Sequence, residues 1–119
     1  MGGRKMITIH NNEEPLYKLA QEIHENAVAH GWWDEPSNLL EIAALCHSEL
    51  SEAVEEYRAG RGMIYPGVGG KPEGIAVEMA DCLIRILDWF GYEGLDVDGI
   101  VREKMLYNKG RPYKHGKKC

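Results

Sequence analysis

The sequence has 119 residues, 44% of them hydrophobic, with 14 Lys/Arg against 19 Asp/Glu and a formal net charge of −5. Such a chain is one ordinary globular domain with no room for a second; no apolar run approaches the roughly 20 residues of a membrane span, and Met1 to Met6 lack the apolar stretch of a secretory signal. Its three cysteines, Cys46, Cys82 and Cys119, form no CxxC and make a poor disulfide framework, so a reducing cytoplasm is the expected location.

Residues 1–12 are weakly patterned and read as an N-terminal arm; residues 13–119 read as one helical domain. A first helix is predicted from near Glu13, with Pro15 in its first turn, where proline is tolerated. Leu16, Leu19, Ala20, Ile23, Ala27 and Val28 recur with helical spacing up to a stop at Gly31. Trp32 and Trp33 follow. A second helix is predicted over about 38–59, capped by Ser37 or Asn38 with Glu41 as a capping-box partner. Its apolar stripe contains Leu39, Ile42, Ala43, Cys46, Leu50, Ala53, Val54 and Tyr57, and Glu49, Glu52 and Glu56 run directly beside it. Residues 60–72 carry five glycines and two prolines and predict a mobile loop. Gly69-Gly70-Lys71 is not a phosphate loop, because Pro72 follows the lysine, no earlier glycine stands at the required position and no strand precedes it. A third helix is predicted over about 73–90, with Gly91 and Gly94 breaking the chain, and a fourth over about 96–109, with Ile100, Val101, Met105 and Leu106 on its apolar side. The fold class is all-α, an antiparallel bundle of about four helices.

The charge is unevenly placed. Residues 1–101 hold seven Lys/Arg against eighteen Asp/Glu, and residues 102–119 hold seven against one. A basic tail is either a solvated end or a phosphate-binding segment folding back on an acidic body. Nucleic-acid binding by the tail alone is disfavoured by that acidic body.

Two acidic pairs carry the chemistry. Glu49-x-x-Glu52 and Glu78-x-x-Asp81 each place two carboxylates on one helical face, and the 25 residues between the pairs suffice to turn one helix back along the other. Four carboxylates at one spot repel unless a cation holds them. Oxygen-only ligands favour Mg²⁺, or Mn²⁺, over zinc. A di-iron centre needs Glu-x-x-His, which no histidine here satisfies. Arg85 is expected to pair with a local acid, Asp88 or Asp81, and Glu56 to be an outer group of the site or a solvated acid. Trp32 and Trp33 are candidates for a platform that stacks on a nucleobase; packing in the core or at a dimer interface is the competing role.

Together, Glu49-x-x-Glu52, Glu78-x-x-Asp81, the flanking Ala44–Ala53 and Lys71–Asp81 segments, and Lys104-x-x-x-Asn108-x-x-Arg111 resemble the MazG-like all-α nucleoside triphosphate pyrophosphohydrolases over roughly residues 13–117. The resemblance implies cleavage of a nucleotide substrate between its α- and β-phosphates, giving a monophosphate and pyrophosphate. It implies that Glu49, Glu52, Glu78 and Asp81 hold one or two Mg²⁺. It further implies that Lys104, Asn108 and Arg111 hold the phosphates, and that the bundle is completed as a homodimer or homotetramer. A bound metal ion can acidify water for attack at the α-phosphorus, with Glu49 or Glu52 taking the proton. A dUTP, dCTP or phosphoribosyl-ATP hydrolase of the same superfamily would share this site. The non-enzymatic alternative is a helical dimerisation or partner-binding module whose acids are surface groups.

Overall fold

The computed structural model describes residues 13–117, so the expected 1–12 arm and Cys119 lie outside the described residues. The architecture is an all-α helical bundle. Helix α1 spans Pro15–Ala29, α2 Leu39–Arg58, α3 Ile75–Glu93 and α4 Val97–Lys109; a two-residue antiparallel pair, β1 Tyr65–Pro66 and β2 Pro72–Glu73, lies between α2 and α3. Helix α3 is the axis of the fold: α1 and α2 both pack along it, while α4 packs on α1.

Local chemistry explains where the helices begin. Pro15 opens α1, its fixed φ suiting the first helical turn. The N-terminal N–H groups of that turn need acceptors, and Glu14 supplies no side-chain cap. Asp98 of α4 does so instead, accepting from Leu16 N at 3.0 Å and Tyr17 N at 2.8 Å. Helix α2 starts with the expected capping box: Asn38 Oδ1 accepts from Glu41 N at 2.9 Å, and Glu41 Oε1 accepts from Asn38 N at 3.1 Å. Asp96 caps α4 by accepting from Gly99 N at 3.2 Å.

Helix α3 departs from its predicted span at both ends. It starts two residues late because Pro72 and Glu73 are held in the β pair, with Gly74 at φ 125° turning the chain into the helix. A Cβ on Gly74 would collide with the Met63 carbonyl. Helix α3 also runs through Gly91, which the sequence reads as a break. There the absence of a side chain permits close helix packing: a Cβ on Gly91 would lie 2.5 Å from Ala20 O and 2.7 Å from His24 Cβ of α1. The helix ends at Gly94, whose φ of 68° is the left-handed cap that glycine favours.

The segment expected as a mobile loop carries local structure. Besides the β pair, Val68–Gly70 form a 3₁₀ turn. Buried Glu56 anchors the segment, its Oε1 accepting from Arg61 Nε at 2.9 Å and Tyr65 OH at 2.7 Å. These donors, Tyr65 first, hold the Glu56 carboxyl below its ordinary range, so Glu56 is a structural anchor rather than a solvated acid.

The core is small. Ala20, Leu87 and Val97 form its buried centre, with Leu16, Tyr17, Ile23 and Phe90 packed around them. The apolar stripe of α2 is divided in two, and the apolar residues of α3 are divided likewise: Ile42 and Ala53 of α2 and Cys82 and Leu87 of α3 are buried, whereas Leu50, Val54 and Tyr57 of α2 and Met79, Leu83 and Ile86 of α3 are exposed. On α4, Ile100, Val101, Met105 and Leu106 are exposed as well. No helix among the described residues is long and apolar enough to cross a membrane.

Candidate functional site

The packing of α2 against α3 brings the two acidic pairs together. One carboxylate oxygen from each of Glu49, Glu52 and Glu78 lies within 4.8 Å of the others. Glu49 is buried, Glu78 half-buried and Glu52 exposed. Asp81, one turn beyond Glu78, stands beside this trio without completing it. Burial raises its pKa, and the Glu49 charge adds to this, while Arg85 and Lys71 work against both.

Glu78 is the most perturbed member. Burial foremost, then the adjoining Glu49 carboxyl and the charges of Glu52 and Asp81, push its pKa up to about 7. Its Oε1 is buried without a hydrogen-bond partner. A carboxylate oxygen left unpaired away from water is costly, and a cation among the three carboxylates would satisfy it. The residues therefore fit a metal ion. The donors are all hard oxygens, as Mg²⁺ and Mn²⁺ prefer; oxygens around an octahedral Mg²⁺ stand about 3 to 4.2 Å apart, inside the 4.8 Å that bounds the trio.

Glu49 and Asp81 also line a cavity of about 600 Å³, walled by α1, the Trp32–Ser37 turn, α2 and α3. Leu19, Ile23, Ile42, Leu45 and Ile84 make it largely apolar, and both Trp32 and Trp33 border it. The predicted aromatic platform and two of the four predicted metal ligands thus share one cavity, which Glu52 and Glu78 do not line. Trp33 is held firmly. Its Nε1 donates to both oxygens of Asp88, at 3.1 and 3.0 Å. Its ring stacks on Tyr92 with centroids 4.3 Å apart and planes 9° apart, and His24 meets it edge-on at 5.2 Å. The same Asp88 contacts His24 Nδ1 at 2.8 Å. Trp32, by contrast, is 73% exposed.

Lys104, Asn108 and Arg111 are not brought to the carboxylates within this chain. They lie along and just beyond α4, none lines the cavity, and Lys104 and Arg111 flank the Tyr107 ring at 5.0 and 5.6 Å from its centroid.

Several features in and around the cavity escape a sequence reading. Arg85 does not pair with a local acid. Its Nε donates to Glu49 Oε2 at 2.8 Å, across to α2, because the guanidinium reaches the buried carboxylate on the facing helix. Lys71, set aside as a phosphate-loop lysine, is carried by the β pair close enough to Asp81 to lower its pKa. Glu22 and Asn26 of α1 line the cavity too; the one signal for them is their spacing along the face of Leu19 and Ile23. The thiols of Cys46 and Cys82 meet between α2 and α3, and burial, then Cys82, raises the Cys46 thiol.

No protein-family model, curated protein or solved structure matches the chain.

Proposed function

We propose that the chain is a MazG-like, Mg²⁺-dependent nucleotide pyrophosphohydrolase of the cytoplasm, cleaving a (d)NTP to the (d)NMP and pyrophosphate. One observation carries this reading: three carboxylates converge, Glu78 among them with an unpartnered buried oxygen, and Glu49 of the three lines a cavity that Trp32 and Trp33 border. A nucleotide needs both halves. Its phosphate chain brings about four negative charges that acids alone would repel, and its base needs a flat apolar surface.

Mg²⁺ or Mn²⁺, held by Glu49, Glu52 and Glu78 with Asp81 alongside, supplies Lewis acidity and offsets the phosphate charge. The protein's own groups do the rest. Glu52, exposed and without an ion pair among the described residues, is better placed than Glu49 to take the proton of the attacking water. Water adds at the α-phosphorus, the anhydride bond to the β-phosphate breaks, and pyrophosphate leaves. Trp33, immobilised by Asp88 and Tyr92, holds the base end in the cavity and restricts water there.

Lys104, Asn108 and Arg111 fit this scheme as phosphate ligands delivered by a second copy of the chain. The open apolar halves of α2 and α3, together with that of α4, favour such a homodimer or homotetramer, since exposed apolar faces of this extent are uncommon on monomers.

Product analysis tests the reaction. The protein is incubated with Mg²⁺ and each common NTP and dNTP, and pyrophosphate and orthophosphate are assayed without added phosphatase. Monophosphate plus pyrophosphate, lost in Glu78→Gln, is the expected result. Orthophosphate plus diphosphate moves the cleaved bond. No turnover, with no saturable stabilisation by Mg²⁺, leaves a helical dimerisation module.

A further inference from the structure

The charge lining the cavity is one-sided. Among its described lining residues Glu22, Glu49, Asp81 and Asp88 are acidic, and Arg85 is the single base. An anionic ligand entering there meets one cation on the wall itself, with Lys71 near Asp81 at its edge. That cation is already engaged: Arg85 Nε donates to Glu49 Oε2 at 2.8 Å, with the Glu49 side chain 10% exposed and that of Arg85 36% exposed. The guanidinium has five N–H donors, and only the one on Nε has a partner among the described residues. The remaining four are free to bind another group.

Glu49 is also one of the three converging carboxylates. A divalent cation and a guanidinium then compete for one buried carboxylate, and they repel each other at that distance. The side chain that leaves has a destination on the same wall, the cavity it already lines. A planar fork with free N–H groups matches the paired oxygens of a phosphate chain.

We propose that Arg85 is the resident cation of the site, neutralising Glu49 until a divalent cation takes that carboxylate, and then turning its guanidinium to the phosphate chain of the substrate. This rests on reading the cavity as a phosphoanhydride site. It adds a residue that binds substrate and a fixed order, metal before phosphate.

Isothermal titration of the full chain tests it, using Mg²⁺ alone and then inorganic tripolyphosphate at saturating Mg²⁺. In Arg85→Gln the Mg²⁺ Kd falls about fivefold or more, because a competitor and a repelling charge are gone. Tripolyphosphate binding weakens about tenfold or more, because a charge-assisted pair is lost. The opposite signs separate this role from a structural one, since a damaged fold weakens both. Nitrogen-15 spectra of the arginine side chains of the unmutated protein provide a test that no folding defect can confound. The Arg85 Nε–H signal shifts on saturation with Mg²⁺ and shifts again with tripolyphosphate. An Nε–H signal that Mg²⁺ leaves in place, or an Arg85→Gln variant in which both affinities fall or neither changes, overturns the proposal. If Mg²⁺ still binds saturably and Glu78→Gln abolishes that binding, the pyrophosphohydrolase reading survives this failure. No saturable Mg²⁺ binding by the unmutated protein overturns both.

Discussion

Glu78 is expected to make the metal-free protein less stable as pH rises, and removing its charge to abolish that loss. Its pKa is about 7 in the fold against an ordinary value of 4.5. The folded state therefore holds the proton more tightly than the unfolded chain, and stability falls as pH rises through that window. Below 4.5 the carboxyl is neutral in both states and costs nothing; above 7 the full penalty applies. The gap, at about 1.4 kcal/mol per pH unit, sets an upper bound of about 3.5 kcal/mol, and solvent access on one side of the carboxyl reduces this to about 2 kcal/mol. Glu78→Gln is thus expected to be about 2 kcal/mol more stable than the parent at pH 8 in EDTA, a rise in Tm of roughly 8 °C for a domain of this size. The two proteins should melt together near pH 4.5. Mg²⁺ at about 100 times its Kd should stabilise the parent by about 2.7 kcal/mol and the variant far less, reversing the order. Calorimetric melts at several pH values, with EDTA and with Mg²⁺, check all of this. A variant no more stable than the parent at pH 8 without metal, or a difference independent of pH, would refute the reasoning.

Asp98→Ala leaves the Leu16 and Tyr17 N–H groups without their acceptor and should cost about 1–2 kcal/mol in urea unfolding. Gly91→Ala forces α1 away from α3 and should cost about 1–3 kcal/mol in the same assay. Trp33→Ala should raise the KM for a nucleotide about tenfold or more through lost stacking, with a smaller effect on kcat, as steady-state kinetics would show. Tyr65→Phe removes the larger of the two donors that depress the Glu56 pKa. Its destabilisation should be present at pH 7 and fade as pH falls below 4.5, since a depressed carboxyl stabilises the fold only while it is ionised.

The helices were legible because their signals are local. Pro15 and the Asn38–Glu41 capping box mark starts that need no knowledge of the rest of the chain. Gly91 misleads for the opposite reason. Glycine inside a helix costs about 1 kcal/mol in isolation, and only the backbone of α1 against it explains why the helix continues. The start of α3 was displaced likewise by β pairing with a segment several residues upstream. At the candidate site, i to i+3 spacing exposed the four carboxylates, because a helix converts sequence interval into a shared face. The partners of Arg85 and Trp33 lie 36 and 55 residues away, and no periodicity encodes those pairings. The cavity is invisible in sequence for a similar reason, being a space between three helices rather than a property of any one.

The connection between α2 and α3 has a consequence for engineering. Gly62 O and Met63 O accept from the N–H groups of Ile75, at 3.4 Å, and Ala76, at 3.0 Å. Loop backbone thus occupies the two donors at the start of α3, one turn ahead of Glu78. Residues 61–64 are therefore a poor place to insert a tag or change length, since any displacement there unseats the helix that carries Glu78 and Asp81. The Val68–Gly70 tip is different: Val68 is exposed, and a Cβ at Gly69 or Gly70 would meet nothing within 4 Å, although their positive φ makes both glycines worth keeping. A probe or affinity peptide introduced at that tip would report on the site from outside without disturbing the register of α3.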